Sequence, residues 1–298
     1  MTRLYRISHD TAYDYDDVVI DSYGMVAARP RDIPDVQRLR EHQLSVTPGP
    51  SDRADHTDSE GNTGTYFHVT EPHRHLLVSA RSVVEVEGLV MPTDATPWEE
   101  ARPAERMDLP EAALAGEHAV PSPLVEPTAE VTAYAAESLR PGRPLIEAVV
   151  ELTSRVHADF EYVPGSTDVS TRVPDVLRLR SGVCQDFAHL MIAGLRGHGL
   201  AARYVSGYLS TDPPPGRDRV VGADATHAWL AVWSPGSGWI AVDPTNDCVV
   251  GDRHITVGWG RDYGDVPPVK GVIFTEASTS TITVTVDVEP LEGDGGDR

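Results

Sequence analysis

The chain is 298 residues long, enough to bury a sizeable core in one large domain or two smaller ones. Its formal net charge of −21 argues against a nucleic-acid partner, because phosphates are met mainly by Lys and Arg, and reads as a solubility feature rather than a lure for a cationic substrate. Residues Met1 to Asp10 contain no apolar signal-peptide segment, and no later run approaches the roughly 18 apolar residues of a membrane span, so a soluble cytoplasmic protein with no membrane partner is expected.

Leu4, Arg6 and Ser8 alternate with Tyr5 and Ile7, and Tyr13 and Tyr15 keep step, as in a half-buried strand. Further strand-like runs cover His42 to Thr47, Thr65 to Thr70 and Leu76 to Glu87, separated by turn clusters at Pro48 to Arg53 and Asp58 to Gly64. Residues 1–90 therefore read as an antiparallel, sandwich-like β domain. His73, just after Pro72, reads as a structural histidine, with no nucleophile near it in sequence. Residues 91–127 gather prolines and acids without apolar periodicity and read as a linker.

A core is expected over 128–262. Thr128 is placed to cap a helix carrying Val131, Tyr134, Ala135 and Leu139 on one face. A second helix follows Pro144, with Leu145, Val149, Leu152 and Val156 in one stripe, and a short third runs from Asp175 to Arg180. Gly182 then delivers Cys184 onto the first turn of a helix that buries Phe187, Met191 and Leu195 and closes at Gly199. Unpaired N–H groups and the positive end of the helix dipole favour a thiolate there. Strands are expected at Ala202 to Leu209, Thr226 to Trp233 and Gly238 to Asp243, with an exposed loop from Asp212 to Asp218. A helix on an antiparallel sheet is an α+β arrangement related to the papain plan. Residues 263–298 supply last strands at Gly271 to Phe274 and Ser280 to Val288, then an acidic tail, Asp294 to Arg298, expected to be disordered.

Cys184, His227 and Asp243 stand in the order of a nucleophile, its base and an orienting carboxylate. Cys184 would attack an acyl carbon, His227 would take the thiol proton and return it to the leaving amine, and Asp243 would hold the imidazole tautomer. Against each stands a plainer reading: an inert buried thiol, a structural histidine, and a carboxylate capping the turn at Pro244. The Cys184 N–H is an oxyanion donor by its place at the helix start, with Gln185 or Tyr162 as candidates for a second. A zinc set of Cys184, His189, Cys248 and His254 has no Cys-x-x-Cys pair or His-Glu-x-x-His helix, so no metal or other cofactor is expected. A reactive Cys184 also rules out a structural disulfide to Cys248 and points to a reducing compartment.

Three blocks, Ser181 to His189, Thr226 to Trp229 and Gly238 to Asn246, resemble the core of the bacterial transglutaminase-like cysteine peptidase superfamily. Looser matches at Tyr23-Gly24, Ala28 to Pro30, Asp58 to Asn62, Pro72-His73 and Ser82 to Val86 resemble its N-terminal β domain, and His254 to Val269 resembles its trailing block. The resemblance implies a transglutaminase-like fold and a thiol-dependent enzyme acting on the amide bonds of a protein or peptide substrate, a glutamine acyl donor included, through an acyl-enzyme at Cys184. Hydrolysis, as by a cysteine peptidase or amidase, is preferred over transfer to an amine. A reading from another class is a binding or assembly module that keeps the fold without turnover. Two positions depart from the family pattern: Ala231, where a glutamate is frequent, and Cys248, where a small residue is usual.

Overall fold

The computed structural model describes residues 2–88, 93–211 and 226–291. The N-terminal region comprises β1 (Arg3–Val26), β2 (Gln37–Thr47), β3 (Asp52–Thr57), β4 (Thr63–Val69) and β5 (His73–Val86). Next come α1 (Pro110–Gly116), α2 (Ala129–Ala136), α3 (Leu145–Asp159), β6 (Glu161–Tyr162), α4 (Val173–Leu179), β7 (Ser181–Gly182) and α5 (Cys184–Gly197). The strands β8 (Ala202–Leu209), β9 (Thr226–Ser234), β10 (Gly238–Asp243), β11 (Cys248–Val249) and β12 (His254–Gly260) complete the core, and β13 (Val269–Thr275) and β14 (Ser280–Leu291) end the described chain. The loop expected at 212–218 and the tail at 294–298 lie outside the described residues.

The alternation that marks the N-terminus as a strand runs on through Val26, so β1 is the spine of a seven-stranded antiparallel sheet. Its two edges are lined end to end, by β5 then β4 on one side and by β14 then β13 on the other. β2 and β3 pair in the same fashion outside β5 and β4. The rows break at corresponding places, one of them held by Pro48 and Pro50 and another by Pro72, residues with no N–H to give a ladder. The sheet curls across that line and closes on its own apolar face, where Val26, Phe67 and Val69 meet Leu44, Val46, Leu76 and Val78. The expected sandwich is thus one curled sheet, and the C-terminal strands belong to it. β3 starts inside the turn cluster expected at Pro48 to Arg53 and runs on over residues where no strand was expected: all six of its residues are exposed, so no apolar alternation announces it.

The core is α+β, as expected. Its sheet runs β11-β10-β9-β8-β12, antiparallel throughout, and α5 packs on β8 and β9 with α2, α3 and α4 around it. Phe187 through Arg196 are all buried, so α5 is a central helix covered on every side. The Thr128 hydroxyl accepts from Val131 N at the start of α2, the cap expected there. Residues 93–127 are more than a linker. Trp98, Ala101 and Val125 enter the core around α5, and Ala112 and Ala115 of α1 pack on Ala201 and Trp233. The two regions meet where Tyr5, Ile7, Val84, Val86, Val286 and Val288 pack against Tyr208, Ile255 and Val257. No helix among the described residues is long and apolar enough to cross a membrane.

Candidate active site

Gly182 and Asp186 set the start of α5. The Asp186 carboxylate accepts from Val183 N at 2.8 Å and from the Thr167 hydroxyl at 2.6 Å, closing the turn that leads into Cys184. A Cβ on Gly182 would stand 2.8 Å from both Cβ and Oδ2 of Asp186, so the turn needs glycine for this close approach. Burial pushes the Asp186 carboxyl up, against the pull of its two donors. Cys184 is half-buried at the mouth of a cleft of about 340 Å³ that it shares with His227.

His227 follows Thr226 at the start of β9, and Asp243 closes the neighbouring β10, so adjacent antiparallel strands bring the two together. His227 Nε2 donates to Asp243 Oδ2 at 2.7 Å, which leaves Nδ1 for the thiol. Asp243 is fully buried yet richly solvated by protein. Oδ2 also accepts from Asn246 Nδ2 at 2.7 Å and His254 Nε2 at 3.1 Å, while Oδ1 accepts from Thr245 N at 2.9 Å. Nδ1 of His254 takes the Gly251 N–H at 3.4 Å, placing the proton on Nε2.

These contacts decide the charges. Burial would push Asp243 up, but hydrogen bonds from His227 and His254 override it and hold the carboxyl well below the usual carboxylate range. Burial would likewise push His227 down, yet its hydrogen bonds to Asp243 and to the Cys184 thiol raise it to about 10. A protonated imidazole between a buried carboxylate and a cysteine is the charge arrangement of an activated thiol.

Structure therefore gathers Cys184, His227 and Asp243 into one cluster. Gln185 lines the same cleft, with its amide donating to the Val169 carbonyl at 3.3 Å. Tyr162 is half exposed on β6, paired with Gly182, and its hydroxyl is pushed up by burial and by the nearby Cys184. Tyr204 of β8, which sequence reasoning passed over, is buried in the cleft and is pushed far up by the same two causes. Asn246 and the aim of His254 were also missed. Asn246 stands in the block that ends at Pro244-Thr245-Asn246, and His254 opens the trailing block, so both were in view without a signal for what they touch. His73 sits in the N-terminal sheet, bonded to Ser22 Oγ at 3.1 Å and to the Glu71 carbonyl at 2.7 Å.

Cys248 pairs with Asp243 across β11 and β10, and burial with the nearby Asp243 pushes its thiol up to about 11. Both cysteines are free. Ala231 is buried among Val205, Trp229 and Trp239, a packing position in this chain. Among the described residues, those that offer clustered metal ligands are His227, Asp243 and His254, whose ligand atoms lie within 4.8 Å of one another. That set differs from the four weighed in the sequence; His189 instead accepts from Tyr263 N at 3.2 Å inside the core. Both imidazole Nε2 atoms are bonded to one carboxylate oxygen, an arrangement that serves to fix Asp243.

Comparison with known proteins covers both regions. The family model of the transglutaminase-like superfamily matches residues 132–244, and that of the bacterial transglutaminase-like N-terminal region matches residues 5–85. A Mycobacterium tuberculosis protein of uncharacterised function is 51% identical over 302 aligned positions, spanning 98% of this chain and 95% of that one. A protein-glutamine gamma-glutamyltransferase of Pseudomonas aeruginosa is 36% identical over 92 positions, 30% of this chain and 14% of the relative. The crystal structure of a candidate cysteine protease from Cytophaga hutchinsonii superposes with a TM-score of 0.71 at 18% identity, over 97% of this chain and 98% of that one, and so has the same fold.

Proposed function

Because this chain belongs to the transglutaminase-like superfamily, with the bacterial transglutaminase-like N-terminal region ahead of its core, we propose that it is a thiol-dependent enzyme that cleaves amide bonds of a protein or peptide through an acyl-enzyme at Cys184. The observation that carries this reading is the shared imidazole: His227 is hydrogen-bonded to Asp243 and to Cys184 together, and is held protonated there. In the first half-reaction Sγ attacks the carbonyl carbon, the C–N bond breaks, and the departing amine or ammonia takes the proton carried by His227. Asp243 keeps the ring oriented and balances its charge. Asn246 and His254 act as positioning residues that keep the carboxylate aimed at His227. In the second half-reaction water gives a proton to His227 and its oxygen attacks the thioester carbon; the C–S bond breaks, which releases the acid and restores the thiolate beside the protonated imidazole.

Transfer to an amine is the second reading. It shares every step up to the acyl-enzyme, and the gamma-glutamyltransferase name of the Pseudomonas aeruginosa relative supports it. Incubation with glutamine-containing and extended peptides, with and without a labelled primary amine, separates the two by product mass. Hydrolysis products that form without the amine and disappear in Cys184→Ala support the first reading. Incorporation of the amine in preference to water supports the second, and absence of any product from active-thiol protein contradicts both.

A further inference from the structure

The cleft has two walls of different origin. Cys184, Tyr204 and His227 come from the core, and across from them stand Thr11 and Tyr13 of β1 with Ile282 and Val284 of β14. Register pairs Thr11 with Val284 and Tyr13 with Ile282, which puts these four side chains on one face of the N-terminal sheet. The same face continues through Val286 and Val288, which pack against the core beside Tyr5 and Ile7. Along β14, Val288 is 0% exposed, Val286 1%, Val284 52% and Ile282 58%, so a stripe closed by packing between the two regions opens at the nucleophile.

Charge points the same way. The whole chain is 24% charged, yet the cleft is lined by no Asp, Glu, Lys or Arg among the described residues. His9, the histidine on this wall, is buried and bonded to the Tyr208 hydroxyl at 2.9 Å and to Thr11 Oγ1 at 3.2 Å, and burial pushes it down to about 4. A charged group set against Ile282 and Val284 would lose its hydration to apolar side chains, whereas an apolar one would cover them and gain from their burial.

We infer that this wall is a substrate subsite contributed by the N-terminal sheet, where Thr11, Tyr13, Ile282 and Val284 receive an uncharged, apolar side chain of a polypeptide next to the amide that Cys184 attacks. The inference rests on the acyl-transfer reading above and gives the β region a part in choosing the substrate.

Peptidyl chloromethyl ketones test it, because they need only alkylation of Cys184 and not turnover. Three probes that differ in one side chain beside the reactive group, Leu, Asp or Lys, are compared on the full chain, each rate divided by the iodoacetamide rate of the same variant. Wild type should react with the Leu probe at least about tenfold faster than with the other two, the scale set by burying one such side chain. Ile282→Ser with Val284→Ser should erase most of that preference; the single variants, each at a half-exposed position, serve if the double does not fold. Equal rates for the three probes in wild type, or a preference that survives the substitutions, would overturn the inference. A Leu preference that is lost on substitution, in a protein that turns over no amide peptide, keeps the subsite and removes the acyl-transfer reading. Turnover without side-chain preference does the reverse.

Discussion

Asp243 is the residue on which the site's charges depend, since a fully buried carboxylate survives only with the donors that surround it. Its carboxyl is held low, so its share of stability is present above its unfolded value of 3.8 and is lost as pH falls. His227 is raised from 6.5 to about 10, so its share is complete below pH 6.5 and is lost as pH rises through 10. The stability advantage of wild type over Asp243→Asn should therefore be largest near pH 6, on the order of 3 kcal/mol for a broken buried pair, and should shrink toward pH 10. Urea unfolding of both proteins across that range checks this; a difference that does not change with pH would contradict it. His254→Leu should slow alkylation of Cys184 about tenfold through loss of one charge-assisted hydrogen bond, while His254→Gln, which can still donate, should restore most of the rate. Cys184, His227 and Asp243 were legible because each lies in a short local pattern: a glycine before a helix, a strand with tryptophan, and an Asp-Pro stop. The contact of His254 with Asp243 was not, because it depends on where the β12 strand returns beside β8.

α5 and the turn before it explain why Cys184 is placed as it is. Gly182→Ala must push its Cβ into Asp186 and loosen the cap at Val183, at a cost of roughly 1–3 kcal/mol for an overpacked site. The expected result is a lower Tm together with slower Cys184 labelling; an unchanged Tm and rate would mean that the turn tolerates a side chain. The helix and the three main core strands were readable because their apolar spacing is regular and their ends are marked by Gly or Pro. β3 was not, since its six residues are all exposed and carry no apolar alternation, although they pair with β4 along their whole length. The buried portion of 93–127 also escaped notice: Trp98 and Ala101 are buried from a single short turn and Ala112 and Ala115 from a helix of only 7 residues, too short for a period to stand out.

For the whole molecule, the N-terminal sheet and the core are tied together from both chain ends. β13 and β14 pair along one edge of β1, so residues 1–90 alone lack two of the seven strands of their own sheet. Local periodicity reveals strands but not which distant strand will pair with them, which is why the last strands read as an appendage to the core. Expression of residues 1–90, or of a chain ending at residue 266, should give a protein without cooperative unfolding, because each exposes β1 and the apolar side chains that β14 covers. A sharp thermal transition in either fragment would contradict this. The same closure places Ile282 and Val284 in the cleft, so the sheet that stabilises the molecule also shapes the cleft that holds Cys184.

In the proposed reaction His227, held protonated beside Asp243, activates Cys184. The most direct test is the pH dependence of iodoacetamide labelling, followed at Cys184 and Cys248 separately by peptide mass spectrometry in wild type and His227→Ala. Cys184 should label rapidly below pH 7 and slow in His227→Ala, while Cys248, pushed up to about 11 by burial, stays slow in both. Slow labelling of Cys184 with the profile of an ordinary thiol, unaffected by loss of His227, would contradict it and leave a binding module that keeps the fold without the chemistry.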